Sequence, residues 1–349
     1  MFWVMFLVPA WASVAAPGKP RPVGKHLEMS WLLVGLLLTL LIGLRHEVGG
    51  DWLNYEAQYF RTVGAPLSEI LVESDPGYFL FNWLSTQVGG GVYLVNLACG
   101  AVFSVGLAAF CRQQVRPWLA LSVAVPYMVI VVAMGYSRQG LALGLAMLGM
   151  VGLAKKNNFQ FILCVALAAT FHKSAVLLMP IAVLATPRGR LWTGLWVGIT
   201  AGVFYYLLLA DSVEGLVTNY IDAQVQSEGA AVRIAMNALP AVLLLIFRKR
   251  LVCQPAERNL WVIMALLSLA CVGWLLVSTS STAVDRLALY LIPLQLFVFS
   301  RLPDLMGRGR GLRNWVIAVV AFYAVVLFVW LNFAVHSRFW LPYQSWLFQ

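Results

Sequence analysis

The chain has 349 residues, of which 61% are hydrophobic and 11% charged, which lies outside the range of soluble globular domains. Its mean hydropathy of +0.82 points to a polytopic α-helical membrane protein and leaves no room for a separate soluble domain. A net charge of +10 does not imply nucleic acid here, because anionic headgroups and the positive-inside rule account for a basic excess in such a chain.

Residues 2–16 are apolar and precede a basic linker ending at Lys25. That order is the reverse of a signal peptide, so they read as a first span. A second span, 28–45, ends at Arg45-His46-Glu47-Val48-Gly49-Gly50-Asp51-Trp52-Leu53-Asn54-Tyr55. A charge at the mouth of a span is costly unless it faces water, a partner or a ligand. Residues 46–76 form the longest polar segment, and 77–88 are apolar but too short to cross before Gly89-Gly90-Gly91, which predicts a re-entrant or interfacial helix. Spans then follow at 92–111, 117–135, 138–154, 158–172, 174–186, 190–210, 231–247, 259–278, 285–300 and 314–335. The expected fold is all-α, with about 12 transmembrane helices plus the short 77–88 helix. Residues 1–349 then make one integral membrane domain, with outer loops at 46–91 and 211–230 and an outer tail at 336–349.

Charge gives the expected orientation. Placing loops 17–27, 112–116, 155–158, 187–190, 248–259 and 301–313 in the cytoplasm puts 17 of the 24 Lys and Arg residues there, and 11 of the 14 acids on the other side. The bias predicts both termini outside. Cys99, Cys111, Cys164, Cys253 and Cys271 show no CxxC spacing, and His26, His46, His172 and His336 show no metal spacing. No metal or cofactor is implied.

The chemistry gathers on the outer side. Arg138, Lys173, Arg233 and Arg286 are each expected near the start of a span, where the helix dipole disfavours a cation by roughly 0.3–1 kcal/mol. Four repeats of that choice point to a compensating anion, and Arg or Lys beside free N–H groups makes a phosphate site. The plainer reading is that these side chains snorkel to headgroups or pair with nearby acids. Asp51 and Asp75, each beside structure-breaking residues and aromatics, are the candidate general bases. His172, beside an apolar run, reads either as a structural histidine with its bonds satisfied or, held neutral by the adjacent Lys173, as a group fit to donate a hydrogen bond or take a proton. Most outer aromatics read as belt residues, but Trp52, Tyr55, Tyr78 and Tyr136 are placed to stack on sugar rings. The tail at 339–343 is positioned to fold back over this side.

Taken in order, the chain carries R-x-x-x-G-x-D-x-x-x-Y (Arg45, Gly49, Asp51, Tyr55), D-P-G-Y (Asp75 to Tyr78), S-R-Q (Ser137 to Gln139), F-H-K-S (Phe171 to Ser174), a late D-R (Asp285, Arg286) and a terminal P-Y (Pro342, Tyr343). This series resembles the EpsG family of Wzy-like bacterial exopolysaccharide and O-antigen polymerases. It departs from the family pattern in carrying Asp75 where a glutamate is usual. The resemblance implies a GT-C-like fold in the bacterial inner membrane with an active face on the periplasmic side. It also implies a metal-independent glycosyltransferase that joins polyprenyl-diphosphate-linked oligosaccharide repeat units. Arg45, Arg138, Lys173, Arg233 and Arg286 would hold the diphosphate, and Asp51, Asp75 and His172 would serve catalysis. Lipid-linked donor and acceptor and membrane lipids are the implied partners, with a flippase and a chain-length regulator beside them and no nucleic acid.

Two rivals use similar residues. A ligase would transfer finished glycan from the same carrier to another acceptor. A flippase or transporter of lipid-linked sugars belongs to a different class, and it would need charges through the bilayer midplane. The expected spans are nearly free of charge, which argues against transport.

Overall fold

The computed structural model describes residues 1–15, 28–181, 192, 194–195, 197–199, 202, 227, 229–251, 253, 255–278, 281–307 and 309–348. Among these residues the fold is all-helical, with one isolated antiparallel bridge between Arg45 and Ser345. The helices before the first long one are α1 (Phe2–Ala15), α2 (Met29–Gly43), α3 (Trp52–Thr62), α4 (Leu67–Ile70) and α5 (Pro76–Gln87). Next come α6 (Gly91–Arg112), α7 (Pro117–Ala124, continuing as a π-wound segment Val125–Ala133), α8 (Ser137–Ala154) and α9 (Asn158–Phe171). The later helices are α10 (Ala230–Phe247), α11 (Pro255–Val277), α12 (Ser281–Leu289), α13 (Pro293–Met306) and α14 (Arg310–Phe333).

Among the described residues, five helices are long and apolar enough to cross a membrane: α6, α8, α10, Glu257–Val277 of α11 and Gly311–Phe333 of α14. A sixth is reached if α12 and α13, bent by 53° at their junction, count as one broken span. This overturns the expected figure of about 12 spans. Length is the physical reason. α1, α2 and α9 have 14, 15 and 14 residues, and at 1.5 Å per residue they reach roughly 21–23 Å against a hydrocarbon core of about 30 Å. α7 keeps eight α-helical residues before its winding changes for the next nine. Hydropathy registers apolar residues but not the breaks between them. The placement of both termini outside depended on twelve alternating crossings and is withdrawn with that count, as is the GT-C-like layout that the resemblance implied. Of the other expected spans, most of 190–210 and the end of 174–186 lie outside the described residues, as does nearly all of the 211–230 loop.

The segment expected at 77–88 is α5, 12 residues long. It packs against α3, α6 and α9 and buries Tyr78, Phe79, Asn82 and Ser85. The centre of the bundle is the π-wound half of α7, in which every residue from Val125 to Ala133 is buried. α8 lies between α6 and α9. α6 and α8 approach so closely that a Cβ on Gly106 would overlap the Gly144 backbone, the small-residue contact typical of helices packing in lipid.

The C-terminal tail closes the fold over the stretch that follows α2. The Gly49 N–H donates to the Phe339 carbonyl (2.8 Å), His46 N–H to the Gln344 carbonyl (3.1 Å) and Trp346 N–H to the Leu44 carbonyl (2.9 Å). The Tyr343 hydroxyl donates to the Leu41 carbonyl at 2.8 Å. Trp340, 2% exposed, sends its indole N–H to the Ile130 carbonyl in the π-wound segment at 2.7 Å. At the other end of the bundle, Arg116 pairs with Asp304 (2.7 Å), and Arg301 bonds Gln114 (2.6 Å) and Glu257 (3.3 Å).

Candidate functional site

Two motif glycines bring the site together. Gly49 has φ +107°, and a Cβ there would lie 2.7 Å from the Met134 carbonyl oxygen. The backbone carrying Asp51 therefore rests directly on the backbone leading into Ser137-Arg138. Gly77 has no positive φ, but a Cβ on it would meet Thr170 Oγ1 and the Phe171 ring at 2.5–3.2 Å. Pro76 opens α5, where a missing N–H is tolerated. Asp75, the residue before that Pro, is thereby set against the end of α9, where His172 and Lys173 follow.

The outcome is one ionic cluster. The Arg138 guanidinium donates to Asp75 at 2.6 Å and lies over the Tyr55 and Tyr78 rings, 5.9 and 5.7 Å from their centroids. Burial pushes the Asp75 carboxyl above its ordinary range, against the pull of Arg138, Lys173 and the Lys173 backbone N–H. Asp51, at the start of α3, is likewise raised by burial and pulled down by Arg138 and Arg286. Among the described residues it closes no ion pair, whereas Asp75 does. Burial and the positive charges of Arg286 and Arg138 push the His172 imidazole down to about 3, so it is neutral near pH 7. The Lys173 ammonium is lowered by desolvation and supported by Asp75. Arg286 lies in reach of Arg138, Asp51, Tyr55 and Tyr136, and its carbonyl accepts from Gln139 Nε2 at 3.0 Å.

The other predicted residues sit around this cluster. Arg233 is held by Asp285, Nη2 to Oδ2 at 2.5 Å, and by Ser227 at 2.6 Å. Tyr136 lies between that pair and the cluster, in reach of Arg233, Asp51, Asp285 and Arg286. Arg45 stands behind the cluster, 1% exposed. Its Nη1 bonds the Ile42 carbonyl (2.5 Å), its Nε the Val48 carbonyl (3.1 Å), and its Nη2 both Ser137 Oγ (2.6 Å) and Asn96 Oδ1 (3.3 Å). Trp52 packs beside Arg45 and against His46 and Tyr93. Arg286 departs from its expected place, since it occupies the last turn of α12 instead of the start of a span. The helix dipole favours a cation there, so the argument from a disfavoured position does not hold for Arg286.

Sequence reasoning gave no role to Asn96, and none of their own to Ser137 and Gln139 of the S-R-Q motif or to Trp340 of the tail expected to fold back. Asn96 carried a readable signal, since an amide inside an apolar span is expensive without a partner. Trp340 carried none, because its partner is a main-chain carbonyl 210 positions away. Among the described residues, no three His, Cys, Asp or Glu side chains gather into a set able to hold a metal ion.

Five long apolar helices with buried ionic groups at their ends define a multi-pass membrane protein. The EpsG family profile matches residues 28–345, and the chain belongs to that family. The matched region takes in both partners of the Arg45–Ser345 bridge. No curated protein and no solved structure matches the chain.

Proposed function

We propose that this protein polymerises polyprenyl-diphosphate-linked oligosaccharide repeat units into exopolysaccharide or O-antigen, as a Wzy-type glycosyltransferase of the bacterial inner membrane with its site on the periplasmic side. The observation that carries this reading is the convergence of Arg138, Lys173 and Arg286 on a buried carboxylate, Asp75, and a half-buried one, Asp51, which forms no ion pair among the described residues. Three cations in one partly buried place favour a multiply charged anion, and the leaving group of such a transfer is a lipid diphosphate.

In the proposed step an acceptor hydroxyl attacks the anomeric carbon of the donor. Asp51 takes the hydroxyl proton, the new glycosidic C–O bond forms, and the bond from that carbon to the diphosphate oxygen breaks. Arg138, Lys173 and Arg286 neutralise the charge that develops on the diphosphate, so no metal ion is required for that role. Asp75 orients Arg138 through their ion pair. Tyr55, Tyr78 and Tyr136 border the sugar path. Arg45 and Arg233, whose donors are engaged by protein acceptors, serve as positioning residues in this scheme.

Deleting the gene and extracting the lipids tests the proposal. Accumulation of carrier-linked single repeat units supports polymerisation. Accumulation of long carrier-linked chains would instead assign transfer to a different acceptor, and an unchanged lipid profile would overturn the reading.

A further inference from the structure

In the proposed transfer, the base Asp51 and the cation Arg138 come from two separate stretches of chain, the turn before α3 and the residues leading into α8. Two consecutive tail residues touch both stretches. The Phe339 carbonyl accepts the Gly49 N–H at 2.8 Å, just ahead of Asp51. Trp340 sends its indole N–H to the Ile130 carbonyl at 2.7 Å and lays its ring on Gly135, just ahead of Ser137-Arg138. A Cβ on Gly135 would lie 2.5 and 2.9 Å from ring atoms Cζ2 and Cη2, and the three atoms nearest to it all belong to Trp340. Gly49 rests on the same stretch, since its own Cβ would lie 2.7 Å from the Met134 carbonyl oxygen and 3.0 Å from the Gly135 Cα.

Filling space does not require a tryptophan here. A Phe would cover much of the same apolar surface, whereas an indole N–H taken out of water is costly unless it is bonded. The bond to Ile130 also fixes how the ring is turned, and the edge it fixes is the one that Gly135 meets. Trp330, near the end of α14, packs edge-on against the same ring with centroids 5.1 Å apart. The indole is therefore a fixed wedge between the tail and the approach to α8.

We infer that Trp340 is a positioning residue for glycan transfer: its wedged indole sets how the Asp51 turn stands against the start of α8, and so where the base lies relative to Arg138. It acts through the backbone at Gly135 and, by way of the adjoining Phe339 carbonyl, at Gly49. This inference rests on the glycan-transfer reading and gives the C-terminal tail a part in it.

The test measures turnover of a defined polyprenyl-diphosphate oligosaccharide by purified full-length protein in detergent. Trp340→Phe, which keeps a ring and removes the N–H, and Gly135→Ala, which presses a methyl on the ring, are each placed in the wild type and in Asp51→Asn. In the wild type each is expected to lower kcat about tenfold, as a small misplacement of reacting groups does, with KM for the lipid unchanged. In Asp51→Asn neither is expected to lower the residual rate further, because the base they place is already absent. An equal loss in both backgrounds, as from general loosening of the fold, would overturn the inference. So would an unchanged kcat in the wild type. Where the thermal midpoint shows that one variant does not fold, the other decides. No turnover by the wild type would remove the glycan-transfer reading itself, which the other outcomes leave standing.

Discussion

Arg138 and Asp75, 63 positions apart in sequence, meet at 2.6 Å with Asp75 almost fully buried. The pair fastens the first turn of α8 to the start of α5, and so joins the S-R-Q and D-P-G-Y motifs into one object. Each charge makes the other tolerable away from water.

Breaking that pair leaves Asp75 buried without its cation. Arg138→Ala is expected to lower stability toward the lower end of the ~3–5 kcal/mol typical of a broken buried pair, because Arg138 keeps some exposure. Activity should fall by at least about 100-fold, as when a transition-state donor is removed. The double variant Arg138→Ala/Asp75→Asn should recover much of the stability and none of the activity. Thermal midpoints in detergent and polymer yield check both halves.

Asp51→Asn should retain lipid-linked substrate and lose turnover by roughly 10²–10⁴-fold, the range for a general base. Burial raises the Asp51 pKa, so the acid limb of the wild-type rate profile should lie above the ordinary carboxylate range near 4. If Asp51→Asn keeps its rate and Asp75→Asn loses it, the two acids exchange roles.

The sequence pointed to residues that gather in space and was poor on the span count, for connected reasons. The motif residues of the cluster were visible because charges and glycines next to apolar runs are conspicuous. Asp51, Asp75, Arg138, His172, Lys173 and Arg286 do come together. The span count failed because an apolar run looks the same whether its helix holds 14 residues or enough to cross. Only coordinates show that Gly49 rests on the Met134 backbone and Gly77 on the Thr170 and Phe171 side chains. The part played by Arg45 was equally hidden, because its partners are main-chain carbonyls, Asn96 and Ser137.

Gly49→Ala should damage the protein through its backbone. The position has φ +107°, and the new methyl would press on the Met134 carbonyl. A destabilisation of about 1–3 kcal/mol is expected from strain of this kind. Arg45→Lys should act similarly, since one ammonium cannot replace a guanidinium that reaches two carbonyls, Asn96 and Ser137 together. Both variants should lose stability and activity in parallel, in contrast to Asp51→Asn, which should lose turnover alone.

His172 should make stability depend on pH. Its folded pKa of about 3 lies below the ordinary 6.5, so the unfolded chain takes up a proton first as pH falls. The contribution is fully present above about 6.5 and is lost toward 3, at about 1.4 kcal/mol per pH unit. Asp51 and Asp75, with raised pKa values, act in the opposite direction as they are protonated. The difference between wild type and His172→Gln isolates the histidine. Between pH 7.5 and 5.5 the wild-type midpoint should fall relative to that of the variant.

The most direct test of the central claim is turnover by purified full-length protein given a defined polyprenyl-diphosphate oligosaccharide in the presence of chelator, with product length and released polyprenyl diphosphate both measured. The account predicts a ladder of lengthening glycans, one diphosphate released per bond formed, and no ladder from Arg138→Ala. A ladder that is absent in chelator and returns when divalent metal is restored, or an undiminished ladder from Arg138→Ala, would contradict it.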